Sequence, residues 1–148
     1  IKIFSMNKLV NIWSSGGVII FQEKVAIGHR KKENLFCLPK GTPEDDENIE
    51  QTAIREVTEE TGIIPKIINK IGEVQYTIKK ETSTTKYKKD VEYNKIVYYY
   101  LMEKIGGDLE YHDHEFDSVL WMSLNEAKEK LTYQNELSIV EKAFHAKN

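Results

Sequence analysis

The chain has 148 residues, 40% of them hydrophobic and 30% charged, with a net charge of −3 and a single cysteine. That length suits one domain with a sizeable core, residues 1–148 as a single unit. The acidic balance argues against binding long nucleic acid by bulk charge, and no apolar run approaches the length of a membrane span. One cysteine excludes an internal disulfide framework and fits a reducing cytoplasm.

The opening IKIFSMNKLV has no apolar core followed by a small-residue cleavage site, so no signal peptide is expected. Residues 12–21, IWSSGGVIIF, place two glycines before a β-branched run and predict a buried strand. Gly16 and Gly17 suit either a close approach of backbone or ligand, or a turn or bulge. A turn at Gln22-Glu23 leads to a second strand, KVAIGHR at 24–30. Four potentially cationic residues run from His29 to Lys32. Lys31 and Lys32 read as a solvated strand end, whereas Arg30 is a candidate phosphate contact because its fork matches phosphate oxygens. LFCLPKG at 35–41 predicts a short apolar strand stopped by Pro39, with Cys37 a buried structural thiol.

Residues 41–63, GTPEDDENIEQTAIREVTEETGI, carry the strongest pattern. Asp46 or Asn48 can cap a helix, acids fill its first turn, and Gly62 stands where a left-handed C-terminal residue is wanted. Ile49, Ala53 and Val57 recur every four residues, and Ile54 widens the stripe. At about 100° per residue, Glu60 falls near the Ala53–Val57 direction. A carboxylate there interrupts the face that should be buried, as functional sites often do. Glu56, Glu59 and Glu60, spaced i, i+3 and i+4, gather on one side and repel by roughly a few tenths of a kcal/mol per pair. A divalent cation would offset that repulsion, and magnesium characteristically takes carboxylates together with substrate phosphates. A solvated acidic face is the plainer alternative.

Beyond the helix, residues 63–78 are β-rich, with Gly72 at a bulge or bend. KKETSTTKYKKD predicts a mobile hairpin loop, whose Lys86, Lys88 and Lys89 either sweep over a polyanion or are simply solvated. VEYNKIVYYYLME at 91–103 predicts a strand and Gly106-Gly107-Asp108 a turn. The cluster at 112–117, HDHEFD, lacks the Cys-and-His four-ligand set of structural zinc. Ser123 to Glu126 forms a capping box for a helix starting at Leu124 and ending at Leu131-Thr132-Tyr133. A last helix over 135–146 places Leu137, Val140, Ala143 and Phe144 on one face.

Gly41, Glu47, Arg55, Glu56, Val57, Glu59, Glu60, Gly62 and Ile63 match every fixed position of the Nudix box. From about Ser14 to about Phe144 the chain resembles the Nudix hydrolase family. The resemblance implies an α/β fold, a Nudix-type α/β/α sandwich with a mixed sheet. It implies that Glu56, Glu59 and Glu60, with the backbone carbonyl of Lys40, hold one to three magnesium ions, manganese being the alternative. Arg55 is expected to pair with Glu47 and fasten the loop to the helix. Glu59 or Glu115 is expected to take the proton of the attacking water, Glu115 being the match by counting back from Trp121. The implied reaction is hydrolysis of a phosphoanhydride in a small nucleotide, a nucleoside diphosphate linked to another group.

Leu38-Pro39-Lys40-Gly41 is similar to members acting on dinucleoside polyphosphates, and the lysine-rich loop points the same way. Diadenosine tetraphosphate is the expected kind of substrate; ordinary or oxidised nucleoside triphosphates and ADP-ribose are the alternatives. The proline of ADP-ribose hydrolases is missing near Ile78. The tyrosine of some dinucleoside polyphosphate hydrolases meets Lys79, Lys80 and Glu81 instead, with Tyr76 out of register. Arg30, Lys40, Lys86 and Tyr133 are the expected substrate contacts, Tyr133 serving equally well in the core. A Nudix-like module that senses nucleotides without hydrolysis commonly lacks box glutamates, all of which stand here. Oligomeric state is not set by the sequence.

Overall fold

The β-branched run after Gly16 and Gly17 forms the middle of a seven-stranded mixed sheet in a computed structural model that describes residues 8–147. The opening IKIFSMN, which carries most of the signal-peptide reading, lies outside the described residues. Strand β1 (Leu9–Phe21) reverses at Gln22 and Glu23, both at positive φ, into antiparallel β2 (Lys24–Arg30). β3 (Leu35–Cys37) and β7 (Ser118–Met122) each pair antiparallel with β2. On its other side β1 runs parallel to β6 (Glu92–Gly107), from Leu9 opposite Glu92 to Ile19 opposite Met102. β6 is antiparallel to β5 (Ile63–Lys79), and the two-residue β4 (Lys40–Gly41) lies against Ser15 and Gly16 of β1.

Period-2 alternation sends neighbouring residues of β1 to opposite faces, and each face carries its own core. Ile19, Ala26 and Met102 pack with Ala53 and Val57 of α1 (Ile49–Thr61). Val18, Ile20, Val97 and Leu101 pack with Ala127 of α2 (Leu124–Lys130) and with Ile139, Val140 and Ala143 of α3 (Gln134–Lys147). The result is the expected α/β/α sandwich. Among the described residues no helix is long and apolar enough to cross a membrane.

Several boundaries differ from the sequence reading. β1 begins at Leu9, and β6 continues through Gly106 and Gly107, which pair with Ile64 and Ile63 instead of forming a turn. The reversal comes one residue later, where Asp108 caps a 3₁₀ turn at Leu109–Tyr111. Gly16 is a close-approach glycine, since a Cβ there would overlap the Pro39 carbonyl. Gly72 lies at a register shift, with Ile139 of α3 filling the space beside it. The 80–90 segment is folded on itself: Thr84 Oγ1 accepts from Lys86 and Tyr87 backbone N–H groups, and the Tyr93 hydroxyl accepts from that of Lys88.

Asn48, rather than Asp46, caps α1. Its Oδ1 accepts from Gln51 N at 2.8 Å, and Gln51 Oε1 accepts from Asn48 N at 2.9 Å. Gly62 ends the helix at φ 78°, and a Cβ there would overlap the Asp108 carbonyl. Gly62→Ala is expected to cost about 1–3 kcal/mol of stability, from the strained left-handed backbone and that overlap. Chemical denaturation measures this; an unchanged midpoint would contradict the account of the helix end.

Candidate active site

Arg55 fastens the loop before α1 to the helix with every face of its guanidinium. Nε donates to Glu47 Oε2 at 2.6 Å, and Nη2 donates to Glu47 Oε1 and to the Thr42 carbonyl, both at 2.9 Å. Nη1 reaches Glu56 Oε1 at 2.9 Å and Glu59 Oε2 at 3.3 Å. Glu47 also accepts from the backbone N–H of Glu44 and the hydroxyl of Thr52, each at 2.9 Å. The Arg55 guanidinium, and after it the Glu44 N–H, hold the Glu47 carboxyl down to about 2.

One turn beyond Glu56, Glu60 is only 4% exposed. A Cβ at Gly41 would overlap the Glu56 carboxyl, so glycine is what lets that carboxylate lie against the β4 backbone. Glu60 Oε1 accepts from Lys40 N at 3.3 Å. Burial, then the neighbouring Glu56, push the Glu60 carboxyl well above the ordinary range, against the opposing Lys40 N–H. Two adjacent carboxylates, one of them buried, form a hard-oxygen donor set of the kind magnesium takes. Among the described residues, no three His, Cys, Asp or Glu side chains already converge on one point. Arg55 accounts for this, since it holds Glu56 and draws the half-exposed Glu59 toward itself. The histidines and acids of HDHEFD do not converge on one point either.

That loop instead presents Glu115. Asp113 N donates to the Glu59 carbonyl at 2.8 Å, and Asp113 Oδ1 accepts from Glu115 N at 2.9 Å. Asp117 Oδ2 accepts from Lys31 N at 2.6 Å, while Asp117 N donates to the His29 carbonyl at 2.9 Å. Phe116 is buried in space that Gly28 leaves free, because a Cβ on Gly28 would overlap its ring. With Asp113 and Asp117 bound to backbone and Phe116 anchored, Glu115 borders a cavity of about 230 Å³. Arg30 stacks over Phe116, its guanidinium carbon 5.0 Å from the ring centre, and pairs with Glu115, Nη2 to Oε1 at 2.9 Å.

Glu56 and Glu60 face the same cavity, and so do Lys40, Lys86 and Lys95. Lys40 also borders a second cavity of about 370 Å³, lined by Tyr76, Tyr99, Tyr133, Asn135 and Glu136. Thr42 and Lys86 border a third, of about 410 Å³, with Trp13, Tyr87 and Tyr93. The charged cavity therefore adjoins two aromatic ones, one through Lys40 and the other through Thr42 and Lys86.

Of the expected residues, Arg30, Lys40, Glu56, Glu60, Lys86 and Glu115 meet around this one cavity. Tyr133 borders the neighbouring one, whereas Glu47, Arg55 and Glu59 stand beside the cavity as a clasp. Lys95 and Ser14 were not anticipated at the charged cavity, nor Tyr76 and Glu136 at the neighbouring one. Lys95 lies in the buried row Tyr93, Lys95, Val97 of β6, a break in alternation that was visible in VEYNKIV. Burial, with Lys40 and Lys86 nearby, holds its ammonium down to about 8. Glu136, 5% exposed, accepts from Leu38 N at 2.9 Å, and burial raises its carboxyl.

The NUDIX domain family model matches residues 10–142. The putative mutator protein MutT4 of Mycobacterium tuberculosis is 34% identical, over 92% of this chain and 56% of that protein. An 8-oxo-(d)GTP phosphatase of Mycolicibacterium smegmatis is 29% identical, over 79% of this chain and 32% of that protein. The chain thus spans about half the length of the first of these relatives and about a third of the second. Among solved structures, a NUDIX hydrolase from Nitrosomonas europaea superposes with a TM-score of 0.69 at 20% identity, over 93% and 90% of the two chains. A Caenorhabditis elegans Ap4A hydrolase binary complex gives 0.65 at 20% identity, over 93% and 99%. At such identities the likeness is one of fold.

Lysine in place of Arg55 keeps the charge but loses the planar fork that binds Glu47 and Thr42 together. Arg55→Lys is expected to lower stability by about 2 kcal/mol, the scale of one charge-assisted hydrogen bond lost from the clasp. Thermal or chemical unfolding checks this; an unchanged transition would mean that the clasp does not hold the loop.

Proposed function

The chain belongs to the Nudix family, and from that premise we propose that it is a metal-dependent pyrophosphohydrolase acting on a dinucleoside polyphosphate such as diadenosine tetraphosphate. The observation that carries this reading is the charged cavity that shares Lys40 with one aromatic cavity and Thr42 and Lys86 with another. A phosphate chain fits the middle, and a nucleobase fits each side, Tyr76 with Tyr133 at one end and Trp13 with Tyr87 at the other. Stacking on such rings contributes about 1–3 kcal/mol per base and tolerates different bases. Leu38-Pro39-Lys40-Gly41 supports the same substrate.

Glu56 and Glu60 fit a divalent cation, because their repulsion and the burial of Glu60 are relieved when a cation binds. Together with Glu59, once released from Arg55, and the Lys40 carbonyl, they would hold magnesium or manganese. When bound, the metal supplies charge neutralisation at phosphate oxygens and lowers the pKa of a bound water. The chain's own residues do the rest. Lys40 and Lys86 hold non-bridging oxygens, and Arg30 adds its fork where a phosphate displaces Glu115. Glu115 takes a proton from the attacking water; the anhydride P–O bond breaks, and its electron pair leaves with the departing phosphate. Glu59 is the alternative base, but it points into the Arg55 clasp rather than the cavity. Two phosphate-terminated fragments result. A nucleotide substrate and a lone buried cysteine suit a cytoplasmic setting.

A second reading follows from the mutator and 8-oxo-(d)GTP phosphatase relatives: an oxidised nucleoside triphosphate, using one aromatic cavity. Turnover of a nucleotide and dinucleotide series, with product masses in oxygen-18 water and a chelator control, separates these. The first reading expects dinucleoside polyphosphates to have the highest kcat/KM and no turnover in chelator. No turnover of any substrate with magnesium would leave a nucleotide-sensing module instead. Glu115→Gln is expected to lower kcat by about 10²–10⁴-fold with little change in KM. Full activity in that variant beside an inactive Glu59→Gln would move the base onto α1.

A further inference from the structure

Among the described residues, Lys95 is buried without an ion pair, its ammonium lying 6.0 Å from the centre of the Tyr76 ring. It belongs to the inward row of β6, is 3% exposed, and borders the charged cavity. Among the described residues, the ion pairs are those of Arg30, Arg55 and Lys70, and none involves Lys95, Lys40 or Lys86. Its charged neighbours are those two other ammonium groups, which repel it. Burying a charge without a partner is costly, and gathering like charges adds to the cost.

Ser14 reports a matching deficit. It is fully buried on β1, its Oγ has no hydrogen-bond partner, and it borders the same cavity. A buried hydroxyl left unpaired is destabilising. Three ammonium groups without ion pairs and an unused hydroxyl border one space, across from Glu56, Glu60 and Glu115, and one polyanion that reaches past those carboxylates satisfies them together. The cations nearest the carboxylates are already engaged: Arg30 holds Glu115, and Arg55 holds Glu47 and Glu56.

We propose that Lys95 and Ser14, with Lys40 and Lys86, form a subsite for phosphates beyond the scissile linkage, so that the substrate carries at least a triphosphate chain. Each internal phosphate brings one negative charge. A diphosphate linkage bound through the Glu56–Glu60 metal site leaves the lysine wall under-filled, whereas a longer chain reaches it. This assignment rests on reading the cavity as a hydrolytic site, but its test does not need turnover.

Calorimetric titration of the full chain with inorganic tripolyphosphate and with pyrophosphate, both in chelator, measures the subsite directly. Wild-type protein is expected to bind tripolyphosphate more tightly than pyrophosphate. Lys95→Met should weaken tripolyphosphate by about 10–100-fold, the loss of one charge-assisted contact, and Ser14→Ala by several-fold. Lys66→Met, on the exposed part of β5, should leave it unchanged. Glu56→Gln should bind tripolyphosphate at least as well as wild type even if turnover is lost, which separates this subsite from the catalytic reading. Lys95→Met should also keep or raise the melting temperature, since it removes an unpaired buried charge. Equal binding by wild type and Lys95→Met, no preference for tripolyphosphate, or a destabilised Lys95→Met would overturn the proposal. With active enzyme, Lys95→Met should raise KM for dinucleoside polyphosphates.

Discussion

Burying Glu60 one helical turn from Glu56 sets two carboxylates where water screens them poorly. The helix would be better served, as a helix, by an apolar residue at 60 that completed the Ala53–Val57 stripe. Much of the surrounding structure accommodates this strain. Gly41 makes room for Glu56 against β4, Arg55 shares charge with it, and the Lys40 N–H reaches Glu60. A local rule is broken and several separate elements are shaped around the break, which is the pattern of a functional site.

The fold supplies the opposite wall. β1 and β6 run parallel through the centre of the sheet and bring Ser14 and Lys95 to the end where β4 meets α1. The loop after β6 hangs from the end of α1 through the Asp113–Glu59 backbone bond, and Phe116 seats it beneath Gly28. Acid and base therefore face each other across a narrow space without neutralising each other completely. Arg30 and Glu115 do pair, and that pair is the one a substrate phosphate would reopen.

How much of this the sequence revealed depends on how local the cause is. The caps of α1 and α2, the Gly62 terminus and the acidic trio are written within a few residues, and Asn48 needed only the choice against Asp46. The sandwich followed from the resemblance rather than from periodicity. Gly106-Gly107 looked like a turn because glycine pairs are common there; its pairing with Ile63 and Ile64 comes from a segment far earlier in the chain. Lys95 breaks the Tyr93–Val97 row in the sequence itself, but only the packing of β6 shows that this face is buried. Glu136 was hidden too, since only the docking of α3 on β1 and β5 brings it against the Leu38 N–H and buries it. Tyr133 was ambiguous between core and stacking, and packing at the chain's end leaves it at a cavity wall.

Burial and the neighbouring Glu56 raise the Glu60 carboxyl, so a cation that binds this pair displaces a proton from it. Magnesium titration by calorimetry at pH 7, in buffers of different ionisation enthalpy, counts that proton. The account predicts binding with proton release in the wild type, and loss of the release in Glu60→Gln. Magnesium binding whose heat is independent of the buffer, or no binding in the presence of a bound nucleotide, would contradict it.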